Sequence, residues 1–181
     1  MSRRSTTVLL AAAIALAGAA VASVSRGALH AMELSLDKRI ETLSVDGPVE
    51  LLGTTRGLYL EGYGAVFTAE VNLAQSMNIN PFQPTIPKEY VDKLRVRKRE
   101  RIPVLEKCMR DEMIAMAASL DGVPLNEQIV LGVTLFYRKW EDTSGLPAQI
   151  VMRAERQKLL NVQTGQTGRE ALNSIIRVQE L

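Results

Sequence analysis

The sequence predicts a single α+β domain, in which an antiparallel sheet of about four strands packs against a long, proline-interrupted helical segment. Three observations carry this. The stretches 58–73 and 128–137 are rich in Val, Ile, Leu, Thr and aromatic residues, the composition of strands. Between them Val91, Leu94, Lys98, Ile102, Leu105, Met109, Met113, Met116 and Leu120 advance by three or four residues each time, the α-helical period. Hydrophobic residues make up 46% and charged residues 23% of the 181, which fits a globular domain and argues against a disordered or polytopic chain.

The amino terminus has the three parts of an export signal. Arg3 and Arg4 supply the positive region, Val8 to Val21 an alanine-rich apolar core, and Ala20-Val21-Ala22 the small residues a signal peptidase needs. The expectation is therefore a signal peptide over 1–22 and one exported domain over 23–181, in the periplasm or outside the cell. The uncharged run from Ser5 to Ser25 is also long enough to span a bilayer, so an N-terminal membrane anchor is the alternative. A start at Met32 would instead make the protein cytoplasmic and open a nucleic-acid-binding reading.

Leu34, Leu36, Ile40 and Leu43 predict a short amphipathic helix, capped by Ser35 and ended by Asp46-Gly47-Pro48. Val49 to Leu52, the turn Gly53-Thr54-Thr55-Arg56-Gly57, and Leu58 to Leu73 predict a β-hairpin. Its second strand carries Tyr59, Tyr63, Ala65, Phe67, Ala69 and Val71 on one face and Leu58, Leu60, Gly62, Gly64 and Val66 on the other. Both faces are apolar, as a central strand requires. Pro81, Pro84 and Pro87 make 73–87 an irregular connector, and Pro103 divides the helical segment into two helices or kinks it. Gln128 to Tyr137 and Ala148 to Arg153 predict two further strands around a turn at Glu141 to Pro147. Glu155 to Val162 predicts a helical turn, and the tail is either a helix through Ala171, Leu172, Ile175 and Ile176 or an edge strand over 176–181.

One cysteine and one histidine exclude an intrachain disulfide framework, a zinc cluster and nearly every histidine-dependent catalytic arrangement. Ser35-Leu36-Asp37-Lys38 matches an S-x-x-K pattern, but no K-T-G follows, and Gly62-Tyr63-Gly64 lacks the third glycine of a dinucleotide loop, replaced by Phe67. No catalytic residue, cofactor or metal ligand is expected. Cys108, beside the apolar stripe, reads as a buried structural thiol, and Met109, Met113 and Met116 as core. Glu61, Glu141 and Asp142 are the carboxylates on which a hydrolase reading would rest.

The basic run from Lys93 to Arg101 places six positive charges in nine residues. Within it Arg95, Arg97, Arg99 and Arg101 are the candidate anion- or partner-binding residues, with Arg97 and Arg101 one helical turn apart. Lys98 shares the buried stripe, so its stem is expected to pack on the core while its ammonium reaches outward. Lys and Arg total 22, and once Arg3 and Arg4 leave with the signal the remainder balances the 20 acids. No nucleic-acid partner is expected from that balance.

The run Arg56-Gly57-Leu58-Tyr59-Leu60-Glu61-Gly62-Tyr63-Gly64-Ala65-Val66-Phe67 and the corner Trp140-Glu141-Asp142-Thr143-Ser144-Gly145-Leu146-Pro147 resemble segments of an exported bacterial protein family with no assigned function. The resemblance implies an exported domain and no substrate. The function expected is a non-catalytic binding or accessory module of the periplasm or cell envelope, partnered by an envelope protein or an anionic membrane surface. A carboxylate-dependent envelope hydrolase is the alternative.

Overall fold

A computed structural model describes residues 24–43, 47–76 and 85–181. The expected signal peptide, Asp46 and the prolines at 81 and 84 lie outside the described residues. Helix α1 (Arg26–Glu41) is followed by β1 (Glu50–Leu51), β2 (Arg56–Leu60), β3 (Gly64–Asn72), the long helix α2 (Lys88–Ser119), β4 (Gln128–Leu135), β5 (Gln149–Glu155), α3 (Arg156–Gln163), a short 3-10 turn (Arg169–Ala171), α4 (Leu172–Ile175) and β6 (Arg177–Glu180). The architecture is mixed α+β, built on one sheet.

Among the described residues the sheet has six strands and is not purely antiparallel, which corrects the expected antiparallel sheet of about four strands. β1 and β2 lie in line along one edge of β3, and the order continues through β4 and β5 to β6. β3 and β4 are parallel over Gly64 to Val71, and every other pairing is antiparallel. A parallel neighbour cannot be reached by a tight turn, so the chain must cross over between them. α2 is that crossover, which sequence periodicity alone does not reveal.

Alternation along the strands divides the sheet into two unlike faces. Ala65, Phe67, Ala69 and Val71 of β3, Ile129, Leu131, Val133 and Leu135 of β4, and Ile150, Met152 and Ala154 of β5 are all buried. They share one hydrophobic core with Leu105, Met109, Met113 and Met116 of α2 and Leu36 and Ile40 of α1. α2 is a single helix through Pro103, not two. Pro103 is exposed and lacks only the N–H that would bond the Arg99 carbonyl, while buried Leu94 and Lys98 before it and Leu105 and Met109 after it hold both halves to the core. No basic residue lies in the last turn of α2, and buried Arg156 of α3 supplies the cation, donating to the carbonyls of Ala117 at 2.9 Å and Val123 at 2.8 Å.

The hairpin turns at Glu61-Gly62-Tyr63, not at the expected 53–57. Gly62 has φ +77° and Gly64 φ +137°, conformations that favour glycine. A Cβ on Gly64 would also lie 1.9 Å from the Gln128 carbonyl oxygen, so the start of β3 is pressed against β4 where a side chain has no room. Glu127 fixes the tip, its Oε1 accepting the Gly62 N–H at 3.0 Å.

α1 starts earlier than expected, capped by the Ser25 hydroxyl rather than Ser35, because Leu29 extends the buried stripe through Glu33, Leu36 and Ile40. His30 therefore sits within the helix. Two carboxylates one turn apart on α1 accept outward-facing N–H groups of the chain entering β2: Glu33 takes Gly57 at 2.8 Å and Asp37 takes Thr55 at 2.9 Å. They stand where a further strand would pair, which closes that edge. Arg26 and His30 also hold the Glu33 carboxylate. The tail forms both expected alternatives, a short helix and then the edge strand β6.

Burial alone would raise the Glu33 pKa, but hydrogen bonds from His30, Arg26 and the Gly57 amide bring it down to about 2 from an ordinary 4.5. A depressed folded-state pKa contributes stability above the unfolded value and loses it as pH falls toward the folded one. The stability difference between wild type and Glu33→Gln should accordingly be largest above pH 5 and shrink between about pH 4.5 and 2, as followed by urea denaturation. A difference constant over that range would contradict the assignment.

Candidate functional site

The basic run of α2 and the corner after β4 are two halves of one internal clasp. Arg95 pairs with Asp142 at 2.8 Å, Arg99 donates to the Ser144 carbonyl at 3.2 Å, and the Tyr90 and Trp140 rings meet with centroids 6.1 Å apart. At the centre Lys98 and Glu141 form a buried ion pair, their side chains 1% and 3% exposed. Lys98 also donates to the Phe136 carbonyl at 3.0 Å and lies 4.8 Å from the centre of the Tyr137 ring. Its ammonium points inward, contrary to the expectation that it reaches solvent, because Glu141, the Phe136 carbonyl and the Tyr137 ring partner it beneath the surface. Burial lowers the Lys98 pKa while Glu141 opposes the shift. Burial, with the Glu141 charge, raises the Tyr137 phenol to about 12, and its hydroxyl donates to the Pro147 carbonyl at 2.8 Å.

Three of the four candidate arginines thus have partners within the chain. Arg95 and Arg99 hold the corner, and Arg101 donates to the Leu73 carbonyl at the end of β3. Arg97 is exposed. The corner that looked like a family signature and the run that looked like an anion site explain each other.

The carboxylates of the hydrolase alternative are dispersed. Glu141 and Asp142 belong to the clasp, and Glu61 is exposed at the hairpin tip, not on a central strand. Ser35 donates to Glu112, a buried carboxylate that also accepts from Arg39 at 2.8 Å and so joins α1 to α2. Cys108 is buried, and desolvation, reinforced by Glu112, raises its thiol to about 11, the setting of an inert structural cysteine. Among the described residues no group of three or more His, Cys, Asp or Glu is placed to hold a metal ion.

The surface that the helices leave bare is the other face of the sheet. There Leu58, Leu60 and Tyr63 are 45%, 48% and 42% exposed, beside half-buried Val66 and Val151. Register sets them in rows, of which one runs across five strands: Leu58, Val66, Val130, Arg153 and Arg177. At the arginine end lie two adjoining hollows of about 510 and 690 Å³, both lined by Tyr63, Arg153 and Arg177. Neither arginine has a hydrogen-bond or ion-pair partner among the described residues. Sequence reasoning missed both. Arg153 breaks the apolar run Ile150-Val151-Met152, a signal visible in the sequence, but only the β5–β6 register brings Arg177 opposite it. No helix among the described residues is long and apolar enough to cross a membrane.

The fold and this surface define a class, a one-sheet α+β domain with one covered and one open face. No protein-family model matches the chain, nor does any curated protein or solved structure.

Removing one partner of a buried ion pair strands the other charge, at a cost of about 3–5 kcal/mol, whereas replacing both by apolar groups is often neutral. Lys98→Met and Glu141→Leu should each lower stability by about that amount, and the double variant should recover most of it. Additive losses in chemical denaturation would show that the pair is not coupled.

Proposed function

We propose that the chain is an exported, non-catalytic binding module of the cell envelope that receives its partner on the open sheet face. The observation carrying this is the apolar patch of Leu58, Leu60, Tyr63, Val66 and Val151, placed opposite the helices and rimmed by exposed Arg56, Thr68, Glu70, Thr134 and Arg153. A contiguous apolar patch with a polar rim is the anatomy of an interaction surface, unlike the isolated exposed Val96 and Val104 on α2. The tripartite amino terminus supports export, and cleavage after Ala22 delivers a chain starting at Ser23. The dispersal of Glu61, Glu141 and Asp142 favours binding over glycoside hydrolysis, which needs two carboxylates across one cleft.

The test is photo-crosslinking in a native-like bacterial host, with the crosslinking residue at position 58 or 60, or at 104 as a control on the opposite side. The expected result is discrete adducts from 58 and 60, none from 104, all on chains beginning at Ser23 in the envelope fraction. Equal adducts from both sides, or an uncleaved chain in the cytosol, would overturn the reading.

A further inference from the structure

We infer that the Arg153–Arg177 pair is a phosphate-binding anchor, and that the open face takes a phosphate-bearing amphiphile whose apolar part lies along Val130, Val66 and Leu58. This rests on the binding-module reading and names the ligand class for its surface.

Arg153 and Arg177 are register partners in the antiparallel β5–β6 pair. Side chains directly opposite one another stand on the same face with Cβ atoms about 5 Å apart, and like charges so placed repel. The chain compensates its partly or fully buried cations with acids or carbonyls (Arg95 with Asp142, Lys98 with Glu141, Arg156 with the end of α2), whereas Arg153 and Arg177 are exposed. These two have no acid among the described residues. Glu155 lines the smaller hollow beside them, but its carboxylate pairs with Lys158 at 3.2 Å. The hollow's charged lining is thus Arg153, Lys158 and Arg177 against Glu155, a net excess of two positive charges. A dianion relieves it, and guanidinium groups are suited to the oxygens of a phosphate.

The apolar component follows from the same register. The row that ends in the two arginines begins with exposed Leu58, half-buried Val66 and buried Val130, and strands stand about 4.8 Å apart, so an apolar floor that deepens toward the charge extends roughly 10 Å. A purely inorganic anion leaves that floor uncovered. A molecule with a phosphate at one end and a hydrocarbon body covers both.

The experiment titrates the mature chain by calorimetry with three probes: inorganic phosphate, dihexanoyl phosphatidic acid below its micelle concentration, and dihexanoyl phosphatidylcholine. Phosphatidic acid should bind at least about tenfold more tightly than either of the others. Arg153→Gln and Arg177→Gln should each remove about tenfold or more of that affinity without lowering the melting temperature, since neither side chain has a partner to lose among the described residues. Leu58→Ser should weaken phosphatidic acid and leave inorganic phosphate unchanged, and Arg97→Gln should leave both unchanged. Equal binding of the phosphatidylcholine, or indifference to both arginine substitutions, overturns the phosphate anchor. Equal affinity for inorganic phosphate and phosphatidic acid overturns the amphiphile. Vesicles of phosphatidylglycerol and phosphatidylcholine distinguish the source: co-sedimentation with the first alone, lost in both arginine variants, places the phosphate in a bilayer, whereas binding of monomeric phosphatidic acid without co-sedimentation places it on a free ligand. Crosslinks from 58 and 60 without any phosphatidic acid binding would sink this inference while leaving the binding-module reading intact, and loss of those crosslinks would sink the reading itself.

Discussion

The parallel pairing of β3 with β4 is the constraint from which the rest of the architecture follows. Parallel neighbours need a long crossover, and the helix that provides it must bury its apolar stripe on the sheet. α2 does so against Phe67, Leu131 and Met152, and its 32 residues overshoot the strands it connects. The antiparallel additions on either side extend the sheet, and among the described residues no second helical layer lies over the open face. One face becomes the core and the other keeps Leu58, Leu60 and Tyr63 in contact with solvent. The candidate binding surface is thus a consequence of connectivity as much as of local sequence.

Charged groups then fix elements that apolar packing alone leaves free to slide. Burial of a charge is costly unless it is paired and hydrogen-bonded, so each buried charge specifies a partner and hence a position. Lys98 with Glu141 sets the corner after β4 on α2, Glu112 with Arg39 and Ser35 sets α1 on α2, and Glu33 with Gly57 sets α1 on the sheet edge. Arg156 does the same for the junction of α3 with the end of α2. These contacts explain why a chain with a near-average charge content devotes so many ionic side chains to its own interior. They also separate arginines with an internal role from Arg153 and Arg177, which have no partner among the described residues.

Much of the fold was legible because it depends on local periodicity. The 3.6-residue stripe from Val91 to Leu120 became α2, and the strands expected over 128–137 and 148–153 became β4 and β5, with their ends shifted by one or two residues. The hairpin turn was misplaced because glycines at both 53–57 and 62–64 are plausible turn residues, and only the contact between Gly64 and Gln128 decides between them. The number of strands and the parallel pair were not legible, since they depend on which segments meet across long separations. Lys98 illustrates the limit for sites. Its place on the buried stripe was readable, but the direction of its ammonium depends on Glu141, 43 positions away in sequence. Arg153 and Arg177 are separated in the chain and joined only by register, so the strongest unpaired charge feature of the open face had no sequence signature as a pair.

The helices seal one face of the sheet, and the other carries exposed Leu58 and Leu60. Solvent paramagnetic relaxation of the chain's methyl groups by a neutral soluble probe reads this difference. The methyls of Leu58 and Leu60 should relax strongly, while those of Leu36, Leu131 and Met109 should be almost unaffected. Protection of Leu58 and Leu60 equal to that of Leu131 would show that the face is covered in the free protein and would contradict the account.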